Sequence, residues 1–397
     1  MEKEKQAIEV TSGCKVFGAY KALCGIEGIV PVIHGAMGCF GNNTFFQMAQ
    51  DESLLKGACC ALQERDVIFG SEKKLVKTLE TVKEHYQPEV IAILGCCVPA
   101  LIGDDIEAVR NAEELPTVYI DAAGFRGWEW EGYEEALLSL LPFIKRQERK
   151  RKSINILGLD PFAPKAGADA RELTRLLKEC GYEVNAMLAL HTSMEEIREM
   201  GSAEKNVVLG GYGLRLAEAM ESELGIPYEV TDFPYGSYLT EKFLKQVTGS
   251  EYVEDIMTSL RRSYLILHRL YDLPVALVGD YGRVTALKKF FSTELGFDVR
   301  FTAIISGSPI HPQQDENLLT INSTIRAMKD ELKLILGTSF QKRAAGELDL
   351  PLIRISSPVY DEVFLYDNCP YMGYRGAIVL VEKIINSFLN SYLKERW

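Results

Sequence analysis

The stretch "VALVGDYGRVTALKKFFSTELGFDVRFTAII", Val275–Ile305, decides the fold. An unbroken apolar run, Val275–Val278, ends at Gly279. A loop follows, then apolar residues at three- and four-residue spacing (Val284, Leu287, Phe290, Phe291), which is the period of a helix packed on one side. "LGF" closes that helix and a second apolar run begins. A strand that alternates exposes one face to water; a strand that is apolar throughout is covered on both faces, as in a parallel sheet sandwiched by helices. The unit is therefore β–α–β.

The same phrase recurs. "INILGLD" (Ile154–Asp160), "NVVLGG" (Asn206–Gly211) and "LKLILGTS" (Leu332–Ser339) each lead through an amphipathic helix towards another apolar run. Upstream, "IVPVIHG", "PEVIAILG" and "LPTVYID" have the same character. These repeats predict an α/β protein of three Rossmann-like domains, each a doubly wound parallel sheet, spanning 1–150, 151–270 and 271–397. Residues 251–274 are expected to form one long connecting helix, and "KRQERKRK" (Lys145–Lys152) a solvated linker. In such sheets ligands bind at the carboxyl ends of the strands, which directs attention to the Gly-ended runs.

Composition narrows the function. With 47% hydrophobic and 25% charged residues the chain is ordinarily globular. A net charge of −12 argues against a nucleic-acid partner, which needs a basic face. The apolar runs are too short to span a bilayer, and "MEKEKQAIEV" lacks the apolar centre of a secretory signal, so no membrane association and a cytoplasmic location are expected. No G-x-x-x-x-G-K-[ST] loop and no G-x-G-x-x-G after a first strand occur, so neither ATP hydrolysis nor dinucleotide binding is indicated.

Nine cysteines, an odd number in a reducing compartment, do not suggest a disulfide framework. Seven fall within the first hundred residues. Cys39 and Cys97 lie just beyond apolar strands, and Cys14 lies on a glycine-containing entry loop. Thiolates on loops suit iron–sulfur clusters, and nearby glycines let backbone N–H groups approach the sulfurs. Placement alone leaves two readings open for each of them, a cluster ligand or a buried core cysteine. Cys96 and Cys97 face opposite ways, so one can ligate while the other packs. His34, five residues before Cys39, is a structural histidine or a contact to cluster sulfurs. Asp104 and Asp105 are expected to cap a helix rather than act as a catalytic pair. "VLGGYGLR" (Val208–Arg215) either lines a cofactor or makes a tight turn.

Taken together, "GCKVFGAYKALCGIEGIVPVIHGAMGC" (13–39), "ERDVIFGSEKKL" (64–75) and "CVPALIGDDIEAV" (97–109) resemble the component 1, or molybdenum–iron protein, family of nitrogenases and nitrogenase-like reductases. "PLIRISSPVYDEVFLYDNCPYMGYRGAIVLVEKIINSFL" (351–389) is similar to the end of its beta-type subunit. The resemblance covers nearly the whole chain. It implies that Cys14, Cys39 and Cys97, spaced 25 and 58 residues apart as in the beta type, hold an iron–sulfur cluster, [8Fe-7S] or [4Fe-4S]. His34 and Cys96 would stand behind them. The cluster would be shared with a homologous alpha-type subunit in a heterotetramer, or with an identical chain. A separate ATP-dependent [4Fe-4S] reductase of the nitrogenase iron-protein type would deliver low-potential electrons.

Departures from the family refine this expectation. Gly210 stands where the alpha subunit carries its cofactor-binding cysteine, no histidine precedes "PYMGYRG", and the nearby polar residues are Ser356 and Ser357. A larger metallocofactor would then belong to the partner subunit. Trp128 stands where the beta subunit has an accessory serine. No catalytic residue is identified. The resemblance implies an electron-relaying, nitrogenase-like oxidoreductase subunit; the alternative is a scaffold on which a complex metallocluster is assembled without turnover.

Overall fold

A computed structural model describes residues 13–47, 56–312, 318–364 and 368–394. Strands β1 (Ile29–His34), β2 (Ala58–Cys59), β3 (Val90–Gly95) and β4 (Thr117–Asp121) form a first sheet in the order β2-β1-β3-β4. Strands β5 (Lys150–Leu157), β6 (Glu183–Met187), β7 (Ala203–Leu209) and β8 (Tyr228–Thr231) form a second, ordered β8-β7-β5-β6. Strands β9 (Pro274–Asp280), β10 (Asp298–Ser306), β11 (Leu334–Gly337) and β12 (Leu352–Arg354) form a third, ordered β10-β9-β11-β12. Every pairing within these sheets is parallel. In each sheet the first strand is central, so consecutive connections leave it in opposite directions. That opens a crevice at the carboxyl ends of β1 and β3, of β5 and β7, and of β9 and β11.

Side-chain alternation assigns the two faces of the first sheet. Val30, Val32, Ile91 and Ile93 pack with Leu75, Leu79 and Val82 of the helix Glu72–Tyr86. Ile29, Ile33, Ala92 and Leu94 join a large apolar core that continues through the second and third sheets. Among the described residues no helix is long and apolar enough to cross a membrane.

Helices Lys15–Cys24 and Glu129–Leu138 cross at backbone contact. A Cβ on Gly18 would lie 1.8 Å from the Glu129 carbonyl oxygen, and one on Gly132 would lie 1.9 Å from that of Lys15. Only hydrogen fits at either crossing residue. The C-terminal helix Gly373–Lys394 is tied back by Asp169, whose carboxylate accepts the N–H groups of Tyr371 at 2.6 Å and Met372 at 2.8 Å.

Two expectations are corrected. Residues 257–270 form four short α and 3-10 turns rather than one long helix. Ile256, Leu260, Ile266, Leu267 and Leu270 still lean on the core while Leu265 stays 80% exposed, so the segment is anchored along its length with its backbone broken into turns. The basic run is also not wholly linker: Lys150, Arg151 and Lys152 are the exposed start of β5.

Gly18→Ala or Gly132→Ala forces the two backbones apart, and is expected to cost about 3 kcal/mol or more, the upper part of the overpacking range. The shift in urea midpoint at unchanged m-value measures it. Burial pushes the Asp169 carboxyl up to about 7, against the two N–H groups that stabilise its charged form. An unfolded aspartate releases its proton near pH 3.9, so between about pH 4 and pH 7 the folded state holds a proton that the unfolded state has lost. This contribution favours folding at low pH and fades as pH rises. Asp169→Asn is expected to flatten that decline, seen as a smaller difference between urea midpoints at about pH 5 and pH 8 than in the wild type.

Candidate iron–sulfur centre

The three cysteines that the sequence singles out all stand at helix N-termini. Cys14 is the residue before the helix Lys15–Cys24, Cys39 lies in the first turn of Met37–Gln47, and Cys97 opens the short helix Cys97–Ile102. Unsatisfied N–H groups and the helix dipole favour negative charge at these ends, which suits thiolates. Cys97 follows β3 directly, and Cys39 follows β1 after one turn, so both occupy the crevice of the first sheet. Cys14 reaches it because the helix crossing sets residue 14 beside residue 128, where the two backbones form an antiparallel bridge.

Gly124 brings two of the thiols together. Its N–H donates to Cys97 Sγ at 3.1 Å. A Cβ there would lie 3.2 Å from Cys14 Cβ, 3.6 Å from Cys97 Sγ and 3.7 Å from Cys14 Sγ. Cys39 is held from the other side. A hydrogen bond from Cys96 draws its thiol down to about 7, and the donor Cys96, itself buried, is pushed up in return. Cys14 is exposed, Cys39 and Cys97 are half-buried, and Cys96 is buried against Gly35. The two neighbours thus divide as alternation suggested, one open and one packed, and both are free thiols.

Among the described residues no group of three or more His, Cys, Asp or Glu side chains closes on a single metal ion. The donor set is instead soft, accessible and one-sided: each cysteine lies at or in the first turn of a helix, and the Gly124 N–H donates to Cys97. That chemistry fits a multi-iron cluster completed by ligands from another chain. Around it the surface is apolar: Met37 is 57%, Leu101 73% and Phe125 55% exposed. Trp128, the residue before the helix Glu129–Leu138, is also partly exposed here.

His34 does not stand behind the sulfurs. Strand alternation puts its side chain on the face of Val30 and Val32, while Cys96 packs in the other core. His34 Nε2 lies 3.2 Å from Asp104 Oδ2 and 3.1 Å from Ser71 Oγ. Burial lowers its pKa against the pull of Asp104, and its Nδ1 has no hydrogen-bond partner among the described residues. The two aspartates also separate. Asp105 caps the helix Ile106–Ala112, accepting the Ala108 N–H at 2.9 Å, as expected. Asp104 caps nothing; it turns inward, and Ser71 donates to it through both N–H and Oγ. Sequence reasoning passes over both Ser71 and Gly124. Ser71 lies in "ERDVIFGSEKKL", quoted for the resemblance alone, and Gly124 sits in a loop without a periodic signal.

The crevices of the second and third sheets face each other and are filled. Lys21 Nζ pairs with Glu129 at 2.5 Å and Asp160 at 3.3 Å, and Arg283 pairs with Asp280 at 2.9 Å. Ser357 donates to Asp160, and Ser356 to Asp280 at 2.7 Å. Thus both of these serines are engaged by carboxylates. Gly210 cannot be a larger residue as the chain stands: a Cβ would lie 2.5 Å from Phe233, over which Arg283 stacks at 4.9 Å. The remaining cavity, between Lys21, Tyr133, Asp160, Tyr212 and Arg283, leaves about 20 Å³ open to the centre of a water molecule. One water needs about 10–15 Å³ by that measure, so no multi-atom cofactor fits. The Gly-rich loop is a tight turn, with Gly210, Gly211 and Gly213 at positive φ. Glu134 occupies the helix N-terminus that follows it, through the N–H groups of Gly213 and Arg215.

Comparison with known proteins places this architecture. The chain is 24% identical to the nitrogenase molybdenum-iron protein beta chain of Methanococcus maripaludis, over 99% of this chain and 96% of that one. It is 23% identical to the corresponding beta chain of Clostridium pasteurianum, over 100% and 96%. It is 24% identical to one of the subunits of the light-independent protochlorophyllide reductase of Roseobacter denitrificans, over 92% and 75%. The solved structure "Nitrogenase Cp1 at pH 6.5" superposes with a TM-score of 0.81 at 21% identity, covering 100% of this chain and 96% of that one. The family model described as nitrogenase component 1 type oxidoreductase matches residues 14–389, nearly the entire chain, and the protein therefore belongs to that family, with the character of its beta-type subunits.

Proposed function

We propose that this chain is the electron-relaying subunit of a nitrogenase-like reductase. Cys14, Cys39 and Cys97 would hold an iron–sulfur cluster, [8Fe-7S] or [4Fe-4S], at a subunit interface. The observation that carries this is the convergence of three accessible thiols on helix N-termini inside an exposed apolar rim. A bound cluster supplies one-electron storage at low potential. The chain's own part is to hold the sulfurs, tune them through the Gly124 N–H, and bury the centre against a partner.

The partner is an alpha-type homologue or a second copy of this chain, and an ATP-dependent [4Fe-4S] reductase supplies the electrons in the cytoplasm. The substrate or larger cofactor sits outside this subunit, because its own inner crevice is closed by Lys21, Asp160, Asp280 and Arg283. We read the chain as three Rossmann-like units, 1–150, 151–270 and 271–397, a reading that the three parallel sheets support. A closed inner crevice also suits a scaffold for metallocluster assembly; turnover with partner and reductase separates that role from a reductase.

Protein purified without oxygen, with its partner, is expected to be brown and to contain iron and acid-labile sulfide. Cys97→Ala is expected to lose most of both. A colourless, iron-free wild type, or a Cys97→Ala variant with unchanged iron and visible spectrum, would overturn the proposal.

A further inference from the structure

We propose that His34, Ser71 and Asp104 form a buried clamp that sets the position of Cys97 relative to Cys39, so that all three are positioning residues for the cluster. This inference rests on the cluster reading above.

The helix Cys97–Ile102 has six residues and buries only Pro99, while Leu101 projects into solvent. So short a helix gains little from its own hydrogen bonds, and one buried side chain gives it little packing. Its start is fixed by the backbone, since Cys96 N–H donates to the His34 carbonyl at 3.0 Å. Its far end needs another anchor, and Asp104 supplies it. The helix stops at Gly103, in the left-handed conformation, and the N–H groups of Gly103 and Asp104 both donate to the Pro99 carbonyl. The Asp104 carboxylate therefore moves with the helix that carries Cys97.

That carboxylate is 2% exposed, and His34 and Ser71 are fully buried. It takes the His34 imidazole, the Ser71 N–H at 3.2 Å and the Ser71 hydroxyl. His34 ends β1, and two residues later Ala36 accepts the N–H of Cys39 at 3.0 Å. Ser71 opens the long helix Glu72–Tyr86, whose Leu75, Leu79 and Val82 are locked in the core. One buried knot thus ties the Cys39 segment, the Cys97 helix and a rigid element together. Hydrogen bonds from two separate elements hold this one enclosed carboxylate from several directions, so the knot transmits position rather than merely adding stability. Asp105, next in sequence, is exposed and only caps the following helix.

The test compares Asp104→Asn and the milder Ser71→Ala with Asp105→Ala in the anaerobic complex. The measurements are iron per chain, retention against a chelator, the electron paramagnetic resonance spectrum and the cluster midpoint potential. Asp104→Asn is expected to weaken iron retention about ten-fold, the low end of the loss when a group that orients a metal ligand is removed, and to shift spectrum and potential. Ser71→Ala moves the same readouts less. Asp105→Ala is expected to lower the thermal unfolding midpoint through the loss of a cap, with spectrum and potential unchanged. Folding is checked by circular dichroism; if Asp104→Asn does not fold, Ser71→Ala decides. The clamp is overturned if the variants keep the wild-type spectrum and potential, or if Asp105→Ala shifts them equally. A wild type without iron overturns the cluster reading itself, an outcome distinct from a wild-type cluster that is indifferent to Asp104.

Discussion

The backbone contact between helices Lys15–Cys24 and Glu129–Leu138 is the constraint from which both crevices follow. Gly18 and Gly132 each meet the other helix's carbonyl with no room for a methyl group. At their N-terminal ends that approach sets Cys14 beside Trp128 and lets the Gly124 loop cover Cys14 and Cys97. Two turns further along the first helix, the same approach brings Lys21 against Glu129 and on to Asp160 of the second sheet. One helix therefore carries a thiol into the outer crevice and an ammonium into the inner one.

The two crevices are topologically alike and chemically opposite. Both lie where strand connections diverge, the place at which doubly wound sheets bind ligands. The outer one keeps its helix ends open and carries thiols as its soft donors. The inner one is closed by ion pairs, the serines at 356 and 357, and Phe233 against Gly210. Burying Lys21, Glu129, Asp160, Asp280 and Arg283 costs solvation that their mutual pairing must offset, so removing one partner strands another charge. A chain built this way has invested its inner site in joining elements of the three sheets.

Much of this is legible in the sequence because it is periodic. Continuous apolar runs ending in glycine, such as Val275–Gly279 and Ile154–Gly158, require parallel strands whatever surrounds them, and all four units picked out after residue 150 begin with a parallel strand. The segment 251–274 misleads because Ile256, Leu260, Leu267 and Leu270 meet the core at a helical spacing while the backbone between them is broken into short α and 3-10 turns, a break that side-chain spacing does not reveal. Asp104 and Asp105 read alike because both precede a helix, and residue type cannot say which of two neighbours turns inward. Burial beside His34 and Ser71 decides it.

The short strand Ala58–Cys59 cannot be read from the sequence by itself, whereas the α/β class, the longer apolar strands, the division of Cys96 from Cys97 and the family resemblance can. These depend on local period and on residues close in the chain. Tertiary structure alone decided that the thiols share one outward-facing crevice, that His34 points away from them, that Ser71 and Gly124 matter, and that the inner crevice is full. Each of these depends on which side chains meet across tens to nearly two hundred residues of chain. Such meetings follow from sheet order and helix crossing, which no local pattern encodes.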